Sequence, residues 1–230
     1  MAQPKRVELV PVDKNRIEFT CKESDALLCP DIVDPLYKLS DDVKKNNGVL
    51  KAKSFFRTWT KQQSLVDLHA KDPVRYAYAA PAGSSFHQAG RAIDFDINGL
   101  NFQGIVKNDW LKKFWELAIP LGFKPIIKEP DTNISENWHF EYRGLWQGVS
   151  EKIGVKEAVK CAILDIGNWD PNEGIDKINN MFLQAQLLRL GYYEIKKADG
   201  IIGNVTKSVL KSVNISGLNV EQILMVLKQL

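Results

Sequence analysis

Hydrophobic and polar residues alternate in two short segments, and each alternation predicts a β-strand. In the first, Ile93, Phe95 and Ile97 share one face, with Asp94 and Asp96 opposite. In the second, the aromatic residues Trp138, Phe140 and Tyr142 share one face. The polar residues His139 and Glu141 share the other. Two neighbouring strands of this kind would pack their aromatic faces into a core and bring Asp94 and His139 together.

Other segments show helical periodicity or strand composition. Apolar residues recur at helical spacing in 34–45, 58–71, the segment that follows Asn108, 175–190, 206–213 and 219–228. Strands are predicted at 49–56 and 123–127, and a hairpin at 7–20 around the turn-prone Asp13-Lys14-Asn15. The predicted fold class is α+β, a mainly antiparallel sheet with helices packed on it, joined to a small all-α domain of three helices.

The composition of the chain changes after Trp146, and residues 167–174 are rich in turn formers. We therefore expect three parts. Residues 1–166 form a large first domain, 167–174 a linker, and 175–230 a small second domain near the lower size at which domains fold alone.

Composition and charge exclude several classes of protein. The 230 residues are 44% hydrophobic, which suits a globular protein, and carry a net charge of +3. No run of Lys and Arg indicates nucleic-acid binding, and no apolar stretch is long enough to span a bilayer. The first twenty residues lack the apolar core of a secretory signal, and three cysteines, an odd number, favour reduced, structural thiols. We expect a monomer that is made in the cytoplasm.

Two histidines and two acids make up the candidate chemistry. His87 precedes Asp94 by seven residues across Gly90, and Glu136 precedes His139 by three. A catalytic zinc site has three protein ligands and keeps one position for water. Two imidazoles and a carboxylate match such a ligand set, and the second carboxylate would lie beside it. A lone His is usually solvated or packed, however, and a lone Asp on a strand is usually exposed. The spacing alone leaves both interpretations open.

The same residues carry a resemblance to a known family. Ser-x-His-x-x-Gly-x-Ala-x-Asp, from Ser85 to Asp94, is followed by Glu-x-x-Trp-His, from Glu136 to His139. Together they resemble the double signature of the VanY-like zinc D-Ala-D-Ala carboxypeptidases and L-alanyl-D-glutamate endopeptidases of bacteria and phages. The resemblance implies that His87, Asp94 and His139 bind one zinc ion and that Glu136 is the general base.

The resemblance also implies supporting residues. Arg57, after a strand and before a helix that carries Gln62, would help to hold the substrate, although Thr58 stands where Ser is common. Ser85 would add a hydroxyl near the same substrate. Trp138 is either core or a wall of the cleft. Asp96 shares the predicted strand face of Asp94 and would orient a ligand imidazole without binding the ion, because the family pattern places the ligand at Asp94.

Residues 175–230 resemble the three-helix peptidoglycan-binding domain. The pattern consists of the Leu190-Gly191-Tyr192 turn and the segment Asp199-Gly200-Ile201-Ile202-Gly203, whose glycines suit tight turns. The alternative is a helical appendage that only packs on the first domain. We favour wall binding, because the other resemblance implies the same polymer.

The favoured hypothesis is therefore a zinc peptidase that cleaves the peptide stems of peptidoglycan and is anchored to the wall by its C-terminal domain. The two-part layout resembles a phage endolysin released through membrane lesions, which favours endopeptidase action over D-Ala-D-Ala carboxypeptidase action. A non-catalytic wall-binding protein with structural zinc would not need Glu136. A glycan hydrolase with paired carboxylates would leave both histidines unexplained.

Overall fold

The computed structural model describes residues 6–213, 215 and 222, which form two compact units. The sheet unit contains residues 8–57 and 86–144. The helical unit contains residues 6–7, 58–85 and the described residues from 145 onward.

The sheet unit is built on a sheet of five strands. In their order across the sheet they are β2 (Glu18–Phe19), β4 (Lys51–Ser54), β5 (Ala92–Phe95), β7 (His139–Tyr142) and β6 (Phe123–Pro125). Strand β2 runs parallel to β4, and every other neighbouring pair is antiparallel. This confirms the predicted α+β class with a mostly antiparallel sheet.

The hairpin predicted at 7–20 is wrong. The turn forms, since Asp13 Oδ1 accepts a hydrogen bond from the backbone N–H of Asn15 (2.8 Å). The segments on either side of it join different sheets, however. Strand β1 (Val10–Pro11) pairs antiparallel with β3 (Leu27–Leu28), whereas β2 joins the large sheet. A turn signal fixes only the local chain reversal, and long-range pairing decided which strands meet.

An aromatic cluster fills the core of the sheet unit. Phe95 and Phe140, on adjacent strands, meet edge to face with 5.7 Å between ring centroids, and Phe114 lies 5.1 and 5.0 Å from them. Phe114 belongs to helix α3 (Trp110–Ala118), and its ring is fully buried. Phe95 and Phe140 therefore lie in a common core, as the alternation predicts, whereas Ile97 and Trp138 fall outside the two strands.

Helix α1 (Pro30–Lys45) begins four residues earlier than predicted. Pro30 occupies its first turn, where the missing N–H costs nothing. Asp31 in the same turn receives two hydrogen bonds from the guanidinium of the buried Arg91, at 2.9 and 2.8 Å. This bidentate pair ties α1 to the start of β5.

The helical unit contains five of the described helices. They are α2 (Trp59–Lys71), α4 (Gln147–Lys152), α5 (Val155–Ile166), α6 (Ile175–Arg189) and α7 (Asn204–Ser212). Helices α4 and α5 are not among the predicted helices. Helix α5 packs on α6, and Gln186 donates a hydrogen bond to Asp165 (3.0 Å) between them. The predicted helix 219–228 lies, apart from Gln222, outside the described residues.

The two units do not share the boundaries of the predicted domains. Residues 155–166, which fall within the predicted domain 1–166, form α5 and belong with α6 to the helical unit. The division at 167–174 stays a prediction. Among the described residues, no helix combines the length and the apolar character that crossing a membrane requires.

Replacing Phe114 by Ala should test the aromatic core. Removing a fully buried ring leaves a cavity and costs about 3–5 kcal/mol of unfolding free energy. Urea denaturation followed by near-UV circular dichroism measures this loss. The exposed Lys112 on the same helix is the control, since Lys112→Ala should change the free energy by less than about 0.5 kcal/mol. Equal stability of the two variants would contradict the proposed core.

Candidate metal centre

The register of β5 and β7 places Asp94 directly opposite His139. Both side chains are buried, and they project from the face of the sheet opposite the phenylalanine cluster. The imidazole Nδ1 of His139 lies 3.0 Å from Asp94 Oδ1. The predicted meeting of these two residues is therefore present.

His87 reaches the same carboxylate from outside the sheet. It lies in a short 3-10 turn (Phe86–Ala89), and Gly90, with φ +62°, reverses the chain into β5. The ring Nδ1 is 2.5 Å from the carbonyl oxygen of Phe55, which identifies it as the protonated nitrogen. The other nitrogen, Nε2, then faces Asp94 Oδ1 at 3.0 Å.

The three side chains fit a divalent metal ion. Their donor atoms all lie within 4.8 Å of one another, and all three residues are buried. In a tetrahedral zinc site with bonds of about 2.0–2.1 Å, ligand atoms are roughly 3.3 Å apart. The observed separations of 3.0 Å between Asp94 Oδ1 and each imidazole nitrogen are within a few tenths of an ångström of that value.

The protonation states also suit a cation. Burial lowers the pKa of His87, so its imidazole is neutral and Nε2 keeps its lone pair. Although burial acts to raise it, the pKa of Asp94 is held well below its usual range by the two imidazoles that face its carboxylate, His87 and His139. A neutral imidazole beside an ionised carboxylate is the state in which these groups bind a metal.

Arg57 lies at the edge of this cluster. Its Nη2 donates to Asp94 Oδ2 at 2.8 Å and to Ser54 Oγ at 3.2 Å. Its backbone N–H donates to the carbonyl of His87 (3.1 Å). The guanidinium thus occupies one oxygen of Asp94, and the imidazoles contact the other.

Glu136 lies in the loop before β7 with a left-handed backbone, φ +66°. For a residue other than glycine this conformation costs about 1 kcal/mol or more, and such strain concentrates at functional sites. The loop is held by the buried Asn137, whose amide donates to the carbonyls of Thr132 (2.7 Å) and Ile134 (2.9 Å). Burial raises the pKa of the half-buried Glu136 carboxyl, and the charges of His139, Asp94 and Arg57 also act on it.

The contacts of the remaining predicted site residues are as follows. Ser85 and Gln62 belong to the helical unit, where the buried Gln62 amide donates to the carbonyl of Ala80 (2.7 Å). Trp138 is partly exposed, and its carbonyl accepts a hydrogen bond from the N–H of Phe95 (2.9 Å).

Asp96 does not lie where the alternation predicts. Strand β5 ends at Phe95, and the chain turns into a 3-10 segment (Ile97–Gly99), so Asp96 no longer shares a strand face with Asp94. Its carboxylate instead pairs with Lys53 Nζ at 2.8 Å. We therefore withdraw the suggestion that Asp96 orients an imidazole.

Two contacts to the imidazoles were missed in the sequence analysis. The carbonyl of Phe55 faces His87, and the carboxylate of Glu141 faces Nε2 of His139 at 4.0 Å. A backbone carbonyl carries no sequence signal. Glu141, however, shares the polar face of β7 with His139, and the alternation that predicts this strand already places the two side by side.

Comparison with protein families decides the classification. Residues 25–145, slightly more than half of the chain, match the VanY family, described as D-alanyl-D-alanine carboxypeptidase. The chain belongs to the VanY family. The matched region contains both motifs and confirms the family resemblance that they gave. No curated protein matches the chain.

Three solved structures are similar to the chain at a low level. The LdcB LD-carboxypeptidase, described in terms of peptidoglycan recognition, is 25% identical, with 58% of this chain and 67% of that chain covered and a TM-score of 0.43. VanYB in complex with D-alanine-D-alanine is 21% identical, with 69% and 83% covered and a TM-score of 0.44. A variant of the vancomycin-resistance D,D-pentapeptidase VanY in complex with Zn(II) is 21% identical. The match covers 66% of this chain and 88% of that chain, with a TM-score of 0.40.

Replacing Asn137 by Ala should loosen the loop that carries Glu136. Two hydrogen bonds at about 1 kcal/mol each amount to about 2 kcal/mol, so amide hydrogens of 132–138 should exchange roughly 30-fold faster. Hydrogen exchange followed by mass spectrometry measures this. Asn133→Ala, which removes an exposed hydrogen bond to Asp131, is the control and should have a much smaller effect. Unchanged exchange in the Asn137 variant would show that this amide does not hold the loop.

Proposed function

We propose that this VanY-family chain is a zinc-dependent peptidase that cleaves the peptide stems of bacterial peptidoglycan. The observation that carries the proposal is the buried cluster of His87, Asp94 and His139, in protonation states that suit a cation. Membership of a family described as D-alanyl-D-alanine carboxypeptidase supports the substrate class. We assign one zinc ion per chain to this cluster.

Zinc bound there would supply a Lewis acid that polarises the scissile carbonyl and lowers the pKa of water to about 7. Glu136 is our candidate for the general base, which takes the proton of the attacking water and passes it to the leaving amine. Its raised pKa supports this role, because an acid or base works best when its pKa is close to the working pH. The loop held by Asn137 fixes its position.

Arg57 is our candidate for substrate binding. A guanidinium has five N–H donors and binds carboxylates or developing oxyanions well. Its contact with Asp94 keeps the group at the candidate metal site, and it also helps to keep that carboxylate ionised. The roles of Ser85, Gln62 and Trp138 in holding the stem peptide stay predictions.

Two bonds of the stem are candidates for cleavage. The two-part layout favours the L-alanyl-D-glutamate bond, whereas the family description favours the terminal D-alanyl-D-alanine bond. The products distinguish the two, because cleavage of the L-alanyl-D-glutamate bond leaves L-alanine on the glycan and frees the rest of the stem, whereas a carboxypeptidase releases a single D-alanine.

We also propose that residues 175–230 bind the wall. The turn glycines support the resemblance, since Gly191 and Gly200 have φ of +98° and +83°. A Cβ on Gly200 would lie 3.0 Å from the carbonyl oxygen of Lys177. The buried Gln184 holds this loop by accepting from the Gly200 N–H (2.8 Å) and donating to Asp199 Oδ1 (3.2 Å). Wall anchoring would raise the local substrate concentration.

Glu136→Gln should separate catalysis from metal binding. The amide cannot take a proton, so turnover should fall by about 100-fold or more, while zinc content measured by elemental analysis stays at one ion per chain. His87→Ala is the companion variant and should lose both zinc and activity, because only two ligands remain. Full activity of Glu136→Gln would remove this residue from the mechanism.

Digestion of purified sacculi by the zinc-loaded protein tests the substrate class. Mass spectrometry of the products should show stem peptides with newly formed amino groups and no new reducing ends. Release of stem peptides that lack their first L-alanine would identify an L-alanyl-D-glutamate endopeptidase, and release of D-alanine alone a carboxypeptidase. New reducing ends, or no products at all, would contradict a peptidase that acts on this polymer.

A further inference from the structure

The imidazole of His139 lies between two carboxylates. Its Nδ1 faces Asp94 Oδ1 at 3.0 Å, and its Nε2 faces Glu141 Oε1 at 4.0 Å. Glu141 is buried to nearly the same degree as Asp94, with 8% of its surface exposed in each case. A buried carboxylate needs a hydrogen-bonding or charged partner. The contacts of the Glu141 carboxylate identify its partners.

Arg143 holds Glu141 in this orientation. Both Nε and Nη2 of the guanidinium donate to the same oxygen, Glu141 Oε2, at 3.2 and 3.0 Å. The other oxygen, Oε1, is the one that faces His139. Because all three residues lie on or just after strand β7, two residues apart, the strand geometry places them on one face.

The chemistry of a metal-binding imidazole needs such a partner. A ring that gives the lone pair of one nitrogen to an ion carries its proton on the other nitrogen, and an acceptor there fixes the ring orientation and raises the basicity of the ligand. For His87 the carbonyl of Phe55 provides this acceptor at 2.5 Å. The group that faces the corresponding nitrogen of His139 is the carboxylate of Glu141, at 4.0 Å, which is about 1 Å beyond a direct hydrogen bond.

We infer that Glu141, held by Arg143, is a positioning residue that accepts the Nε2 proton of His139 and directs Nδ1 toward the zinc ion. This inference rests on the proposed function, since it assumes that zinc binds at His87, Asp94 and His139. Glu141 itself does not touch the ion or the substrate.

The test compares Glu141→Leu with Glu141→Gln in the full chain. Leucine is of similar size but has no acceptor, whereas glutamine keeps an oxygen that can accept the Nε2 proton. Zinc dissociation constants, measured by competition with a chelator, should rise by about 10- to 100-fold for Glu141→Leu and by only a few-fold for Glu141→Gln. Asp96→Asn, a carboxylate that pairs with Lys53, is the control and should bind zinc as the unmodified chain does. Thermal unfolding of the metal-free variants checks that each is folded.

A second measurement, of the histidine ring protons, can be made on the unmodified chain. The chain has only three histidines, so its ring N–H signals can be assigned in a ¹H–¹⁵N spectrum of the zinc-loaded protein. The Nε2 proton of His139 should be shifted downfield and protected from exchange, and Glu141→Leu should abolish that protection while the Nδ1 proton of His87 keeps it.

The possible failures are distinguishable. An unmodified chain that binds no zinc would overturn the proposed function and this inference with it. Zinc binding that is equal in the unmodified chain and in Glu141→Leu would overturn the role of Glu141 alone. An unprotected Nε2 proton in the unmodified chain would do the same, even if Glu141→Leu failed to fold.

Discussion

The carboxylate of Asp94, buried between two imidazoles, is the contact on which the rest of the candidate site depends. It exists because β5 and β7 pair with Asp94 opposite His139. Side chains alternate across a strand, so a slip of one residue would turn Asp94 into the phenylalanine core and bring a phenylalanine to the site. The aromatic cluster of Phe95, Phe114 and Phe140 therefore stabilises the fold and also fixes the register that assembles the polar face.

Around this contact, neighbouring groups restrict each member of the cluster. The carbonyl of Phe55 orients His87, Arg57 occupies the second oxygen of Asp94, and the Glu141 carboxylate lies behind His139. Burial keeps the His87 imidazole neutral, while its neighbours keep the Asp94 carboxyl ionised. A set of groups with fixed orientation and fixed charge is preorganised for a cation, and little reorganisation is then needed on binding.

Much of this arrangement could be predicted from the sequence, because its main cause is local. The two-residue period of 93–97 and 138–142 predicts the strands, and the two motifs predict which side chains meet. The two-residue period ends where the chain leaves strand β5 after Phe95. Asp96 therefore pairs with Lys53. The hairpin at 7–20 fails for a different reason, since strand partners far along the chain compete with local pairing. The contribution of a backbone carbonyl such as that of Phe55 cannot be recognised from residue types.

Anomalous diffraction at the zinc absorption edge, from crystals grown with zinc, tests the central claim most directly. The account predicts one strong peak within about 2.0–2.2 Å of Nε2 of His87, a carboxylate oxygen of Asp94 and Nδ1 of His139. A zinc peak at some other place, or these three side chains pointing away from one another with no peak between them, would contradict it.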